Sequence, residues 1–205
     1  MKVYPGLVHL NGNLLAAVDV ETSGTDSGWH EIVQIAVVPL DNDIRPLAGV
    51  NPFYTTLRPL YPERADQRSM KVHRLSLVEL LEHAPDPGRV ADLFLEWFQA
   101  LDLPANKSLV PLAHNWPFEA GFLRAWLGHK TFEEVFFGHA RDAMTLALAM
   151  NDRAAFAGRP QPFPAVGLRA IGTRFGIANE KQHDALCDCL TEAEVYRAML
   201  LKNLF

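Results

Sequence analysis

Three acidic fragments, far apart in the chain, hold the residues best suited to chemistry. They are Asp19-Val20-Glu21-Thr22-Ser23-Gly24, His114-Asn115-Trp116-Pro117-Phe118-Glu119 and His183-Asp184-Ala185-Leu186-Cys187-Asp188. Together they offer four carboxylates, Asp19, Glu21, Glu119 and Asp188, and one imidazole, His183. Hard divalent cations take oxygen ligands, and two such ions beside a titratable base are equipped to hydrolyse a phosphate ester. Each fragment alone says less. Residues two apart on a strand face the same side, so Asp19 and Glu21 would project together while Val20 turns into the core. Acidic pairs at strand ends are nonetheless usually solvated. Glu119, in the first turn of a helix, also suits the helix dipole, Asn115 suits an N-cap, and Phe118 suits a core position. His183 and Asp188, five positions apart, would stand about 140° apart on one helix. They meet only if His183 precedes the helix and Asp184 caps it.

The elements that must position these residues are readable in outline. The continuous apolar run Leu14–Val20 predicts a central strand buried on both faces. Ile32–Leu40 and Phe53–Leu57 predict two further strands in a meander on one side of it. Ser76–Leu81 suggests a short helix, and Arg89–Leu101 a longer one with an apolar stripe through Val90, Phe94, Trp97 and Leu101. Ser108–Ala113 reads as a strand running into the second fragment, with Pro117 in the first turn of a helix to about Leu127. Val135–Gly138 reads as a short strand, Asp142–Asn151 as a helix and the proline-rich Arg159–Pro164 as a loop. Gly167–Phe175 and Ala185–Lys202 close the chain as helices. Strands in a hairpin series, then strands alternating with helices, give an α/β mixed sheet with helices on its faces, in a single domain over 1–205.

The bulk properties set bounds. The chain has 205 residues, 49% hydrophobic and 21% charged, enough for one well-packed core. No apolar run approaches a membrane span, and Met1-Lys2-Val3-Tyr4-Pro5-Gly6 contains no signal-peptide core, so a cytoplasmic protein with no membrane partner is expected. Cys187 and Cys189, one residue apart, read as small fillers in a reducing compartment. A net charge of −5 weighs against a protein that coats nucleic acid, but not against one that grips a strand end through bound metals. Between Arg58 and Arg74, five bases stand against two acids, for a local charge of +3. That segment reads as a solvated loop or, functionally, as a strand-facing rim.

The three fragments resemble, in order and spacing, the exonuclease motifs of the DEDDh family of 3′→5′ exonucleases, which includes polymerase proofreading subunits and RNase T. Asp19-Val20-Glu21-Thr22-Ser23-Gly24 is similar to the first motif, His114-Asn115 through Phe118-Glu119 to the second, and His183 to Asp188 has the spacing of the histidine subclass. Val72-His73, Arg141-Asp142 and Arg174-Phe175-Gly176-Ile177 add lesser likenesses, and the resemblance runs from about Leu14 to Leu200.

It implies a ribonuclease-H-like fold with a five-stranded sheet and two divalent cations, Mg²⁺ or Mn²⁺, held by Asp19, Glu21, Glu119 and Asp188. By the same resemblance His183 would deprotonate the attacking water, and nucleoside 5′-monophosphates would leave the 3′ end of single-stranded DNA or RNA, with DNA slightly favoured. Thr22, Ser23, His73, Asn115 and Phe118 would lie beside the terminal nucleotide. A homodimer or a polymerase or repair partner is left open. Glu119 departs from the family's usual Asp: its extra methylene moves the carboxylate by about 1 Å, a displacement that can cost on the order of 100-fold in rate. A shifted helix, a preference for Mn²⁺, or a strand-binding or partner-docking module without turnover would each accommodate it.

Overall fold

The computed structural model describes residues 10–179 and 181–201. Five strands form one mixed sheet: β1 (Leu14–Thr22), β2 (Ile32–Pro39), β3 (Phe53–Thr56), β4 (Leu109–Ala113) and β5 (Arg141–Asp142), in the order β3-β2-β1-β4-β5. β1 is antiparallel to β2, and β2 to β3, so the expected meander lies on one side of the first strand. On the other side β4 runs parallel to β1, and β5 parallel to β4. This is the ribonuclease-H-like arrangement. β2 is buried along its whole length, which its near-continuous apolar sequence requires.

Alternation along β1 sends its side chains to two cores. Leu15 and Ala17 join Ala36, Val38, Val110 and Leu112 on one face, against helices α6 (Ala143–Phe156), α7 (Leu168–Phe175) and α8 (Ala185–Leu201). Ala16, Val18 and Val20 face the other, with Ile35, Val37 and Leu109, against α3 (Pro87–Ala100), α4 (Trp116–Leu127) and α5 (His129–Val135). Phe94 anchors this second core, fully buried, with the rings of Phe53, Trp97, Trp126 and Phe136 centred 5.2–6.1 Å from its own. The same parity puts Asp19 and Glu21 on the α8 face.

Two expectations are corrected. Val135–Gly138 is not a strand: α5 ends at Val135 and Phe136 makes only an isolated bridge to Leu109. The apolar positions Phe132, Val135 and Phe136 repeat at three and four, so the segment buries them best as a helix end. The fifth strand falls instead at Arg141–Asp142, opposite Leu112 and Ala113. The basic segment is likewise not a plain loop. It contains α1 (Gln67–His73), capped by the Asp66 carboxylate, which accepts the Arg68 amide at 2.7 Å. Another short helix, α2 (Leu77–His83), is capped by Ser76, as its sequence suggested. The C-terminal helix is described through Leu201, and Lys202 and the Met1–Gly6 segment lie outside the described residues. Among the described residues no helix is long and apolar enough to cross a membrane.

Candidate active site

At the C-terminal end of β1 the backbone shifts register by one residue between Glu21 and Thr22. The strand leads into a tight loop that its own polar groups fix. Thr22 Oγ1 donates to the Gly24 carbonyl at 2.5 Å, and Ser23 Oγ accepts the Glu31 amide at 2.9 Å. Both side chains are buried. Gly24 admits no side chain, because the His30 ring would stand 2.0 Å from a Cβ there. The chain then closes onto α1 through the Asp66 amide, which donates to the Ser23 carbonyl at 2.7 Å. α1 delivers His73, buried, with Nδ1 accepting the Leu75 amide at 3.1 Å. Its proton therefore lies on Nε2, and the ring adjoins the Thr22 backbone.

The second fragment turns from β4 into α4 at Asn115, whose backbone is left-handed (φ 86°) and whose side chain makes no cap bond. Asp142 holds that turn instead: Oδ2 accepts the Trp116 amide at 2.7 Å while Oδ1 caps α6 through Thr145 at 2.8 Å. Asn115 is exposed, and Phe118 packs half-buried on Phe122 at 4.9 Å between centroids. Glu119, in the first turn of α4, is only 4% exposed.

The third fragment behaves as its spacing demands. Asp184 caps α8, its Oδ1 accepting the Cys187 amide at 3.2 Å. His183 lies ahead of the helix in a left-handed conformation (φ 63°), with its amide donating to Asp188 Oδ2 at 3.1 Å and its side chain exposed. One ligand atom each from Glu21, His183 and Asp188 lie within 4.8 Å of one another.

Residues outside the three fragments fix this arrangement. Gln34 Oε1 accepts the Ala185 amide at 2.9 Å, and Gln34 Nε2 donates to the Tyr54 hydroxyl at 3.1 Å. The Tyr54 hydroxyl donates in turn to Asp184 Oδ2 at 2.7 Å. Asn179 donates to Asp188 Oδ1 through Nδ2. Glu192, four residues beyond Asp188 and so on the same face of α8, is 1% exposed and accepts the His114 amide at 3.0 Å. Gln34 had a sequence signal, a lone amide inside an apolar strand, and Glu192 had one in its spacing from Asp188. Tyr54 and Asn179 had none.

The electrostatics are those of crowded acids. Burial first, then Glu21, Glu119 and Asp188, hold the Asp19 carboxyl well above the usual range. Burial and the charges of Asp188 and Asp184 raise Glu21 from 4.5 to about 8. Burial raises Glu119 well above its ordinary value, with Asp142 and Glu21 adding to it. Asp188 is raised by burial against the opposing hydrogen bonds of Asn179 and His183. Asp19 Oδ2 and Glu119 Oε2 are buried, with no hydrogen-bond donor among the described residues. Uncompensated buried carboxylate oxygens demand either protons or cations. The donor set is all hard oxygen with one imidazole, so it fits divalent cations such as Mg²⁺ or Mn²⁺.

A family model described as exonuclease, of the RNase T group, matches residues 16–196, and the chain belongs to this exonuclease family. No curated protein sequence matches it. Among solved structures, exonuclease I of Methylocaldum szegediense superposes with a TM-score of 0.70 at 18% identity, over 93% of this chain and 41% of that one. E. coli exonuclease I in complex with a dA16 oligonucleotide gives 0.71 at 15% identity over 93% and 41%. The zinc-bound E. coli exonuclease I–ssDNA complex gives 0.70 at 17% over 91% and 40%. The chain thus spans about two fifths of the length of these structures, and at such identity the likeness establishes the fold.

Proposed function

We propose that this chain is a metal-dependent 3′→5′ exonuclease domain, with its motif-bearing core over about 14–200. It would hydrolyse the terminal phosphodiester of single-stranded nucleic acid, DNA in preference to RNA, and release nucleoside 5′-monophosphates. The observation that carries this reading is the grouping of Glu21, Asp188 and His183, with Asp19 under the charges of Glu21, Glu119 and Asp188 and with buried oxygens of Asp19 and Glu119 that no donor among the described residues satisfies.

Asp19, Glu21, Glu119 and Asp188 would hold two divalent cations. Bound there, the ions would stabilise the charge that develops on the entering and leaving oxygens of an in-line displacement. His183, exposed at the mouth of the site and tethered through its amide to Asp188, takes the proton of the attacking water. The water oxygen bonds to phosphorus, the bond to the penultimate 3′-oxygen breaks, and the terminal nucleotide leaves with its phosphate. Asn115 is exposed beside the site and free to meet that nucleotide, with Phe118 behind it. Thr22, Ser23 and His73 shape the loop against which the nucleotide would rest.

Single strands are favoured by a groove adjoining His183. Among the described residues, Lys71, Arg74, Arg169 and Lys181 line it, against one carboxylate, Asp184. Four cations along a cleft ending at buried acids suit a phosphate backbone that enters end-on. The E. coli exonuclease I structures with dT13 and dA16 oligonucleotides support DNA as the strand. The free thiols Cys187 and Cys189 suit a reducing, cytoplasmic setting. A partner chain forms no part of the proposal.

Glu119, standing where the family usually has Asp, favours a second reading, a strand-binding module without turnover. Digestion of 5′-labelled DNA and RNA of one sequence with Mg²⁺, Mn²⁺ or chelator decides between them. The first reading expects metal-dependent shortening from the 3′ end. Intact strands, with cutting only in Glu119→Asp, would establish the second, and inertness of both proteins would end the nuclease proposal.

A further inference from the structure

A further buried carboxylate, Glu192, adjoins the acids of this site. Glu192 sits one helical turn below Asp188 on the inward face of α8 and lines the same cleft of about 950 Å³ as Asp19, His114, Asn179, His183 and Asp188. One of its oxygens is committed: Oε1 accepts the His114 amide at 3.0 Å, which fixes the carboxylate and ties α8 to the end of β4. The other, Oε2, is buried and has no donor. The groups acting on Glu192 electrostatically are Asp19, Glu119 and Asp188, all acids, and no lysine or arginine is among them.

The acids therefore fall into two sets. In one set, Glu21, Asp188 and His183, one ligand atom from each residue lies within 4.8 Å of the others. The other set, Asp19, Glu119 and Glu192, shares one property: each has a buried oxygen that no donor among the described residues reaches. Buried carboxylate oxygens of this kind need positive charge, and no lysine or arginine is among the groups that act on Glu192.

Resting on the proposed metal-dependent reading, we propose that Glu192 is a further carboxylate of the metal site, sharing one divalent cation with Asp19 and Glu119. Its second oxygen gives that cation a further hard ligand, from a helix rather than a loop. A hydrogen-bonded backbone amide behind Glu192 orients it as outer partners orient metal ligands generally.

Mn²⁺ binding to the full chain, followed by titration calorimetry and by Mn²⁺ electron paramagnetic resonance, tests this without an activity assay. Glu192→Gln keeps an oxygen for the His114 amide and removes the charge. Asp19→Asn serves as the positive control, and Glu194→Gln, on the exposed side of the same helix, as the neutral one. The wild type should bind two ions. Glu192→Gln should melt, in chelator, at or above the wild-type temperature yet weaken one of the two binding steps about 10–100-fold. Unchanged Mn²⁺ affinity in Glu192→Gln, with Asp19→Asn impaired, would overturn the role of Glu192 and leave the metal site standing. A wild type that binds no ion would instead remove the metal-dependent reading itself. Should Glu192→Gln fold poorly, Glu192→Asp, which keeps the charge on a shorter arm, must still weaken the same step; unaltered affinity there overturns the proposal equally.

Discussion

His183 is the residue whose replacement reports most directly on the chemistry. Its side chain is exposed, its amide is bonded to Asp188 and no packing depends on its ring, so His183→Ala should fold as the wild type does. Loss of a general base costs about 10²–10⁴-fold in rate. We expect a fall of that size in kcat with strand affinity kept, read by single-turnover digestion against equilibrium binding. The acids make a prediction about stability. Between 4.5 and about 8, native Glu21 retains a proton that the unfolded chain has released. Its contribution is therefore fully present below the unfolded value and is lost as pH rises through the native one. Asp19, Glu119 and Glu192 are raised in the same direction by burial. In chelator the melting temperature should decline as pH rises from about 5 to 8, and saturating Mn²⁺ should abolish the decline. A metal-free protein whose stability climbs over that range would contradict the arrangement of acids.

Elements matter here as carriers of those residues. The approach to α8 is clamped to the sheet by the chain of bonds from Gln34 through Tyr54 to Asp184, joining β2, β3 and the helix cap. Tyr54→Phe removes two of these bonds at a partly exposed position. It should cost about 1 kcal/mol, measurable by urea unfolding, and lower turnover by loosening the segment that carries His183. Phe94→Ala, in the aromatic core under α3, should cost about 3–5 kcal/mol while leaving metal affinity intact in the folded fraction. The sequence marks β1 to β4, α2, α3, α4, α6, α7 and α8, through apolar period and capping residues. It missed α5, whose Phe132, Val135 and Phe136 form too short a run to separate helix from strand by period. It placed the fifth strand a few residues early for the same reason. β5 has only two residues, and what defines it is pairing with β4, a property of the tertiary fold.

For the molecule as a whole, a net charge of −5 coexists with a basic groove, because the acids and bases are segregated. Arg169→Ala or Lys181→Ala should weaken single-strand binding uniformly across sequences and reduce its salt dependence by roughly one counterion each. Filter binding over a salt series checks this. The four acids proposed to hold metal and His183 were legible as candidates because they stand in three fragments that the topology returns to the end of β1 through β4 and α8. Glu192 offered only its spacing from Asp188 and Asn179 offered no signal, since their value arises from which backbone amide or carboxylate they face after folding.

The central claim is that distant acids enclose divalent cations. Anomalous diffraction from crystals soaked in Mn²⁺ tests it most directly. The account predicts two peaks, one contacted by Asp19 and Glu119 and one by Glu21 and Asp188. Saturating Mn²⁺ that leaves no peak among these carboxylates would contradict it.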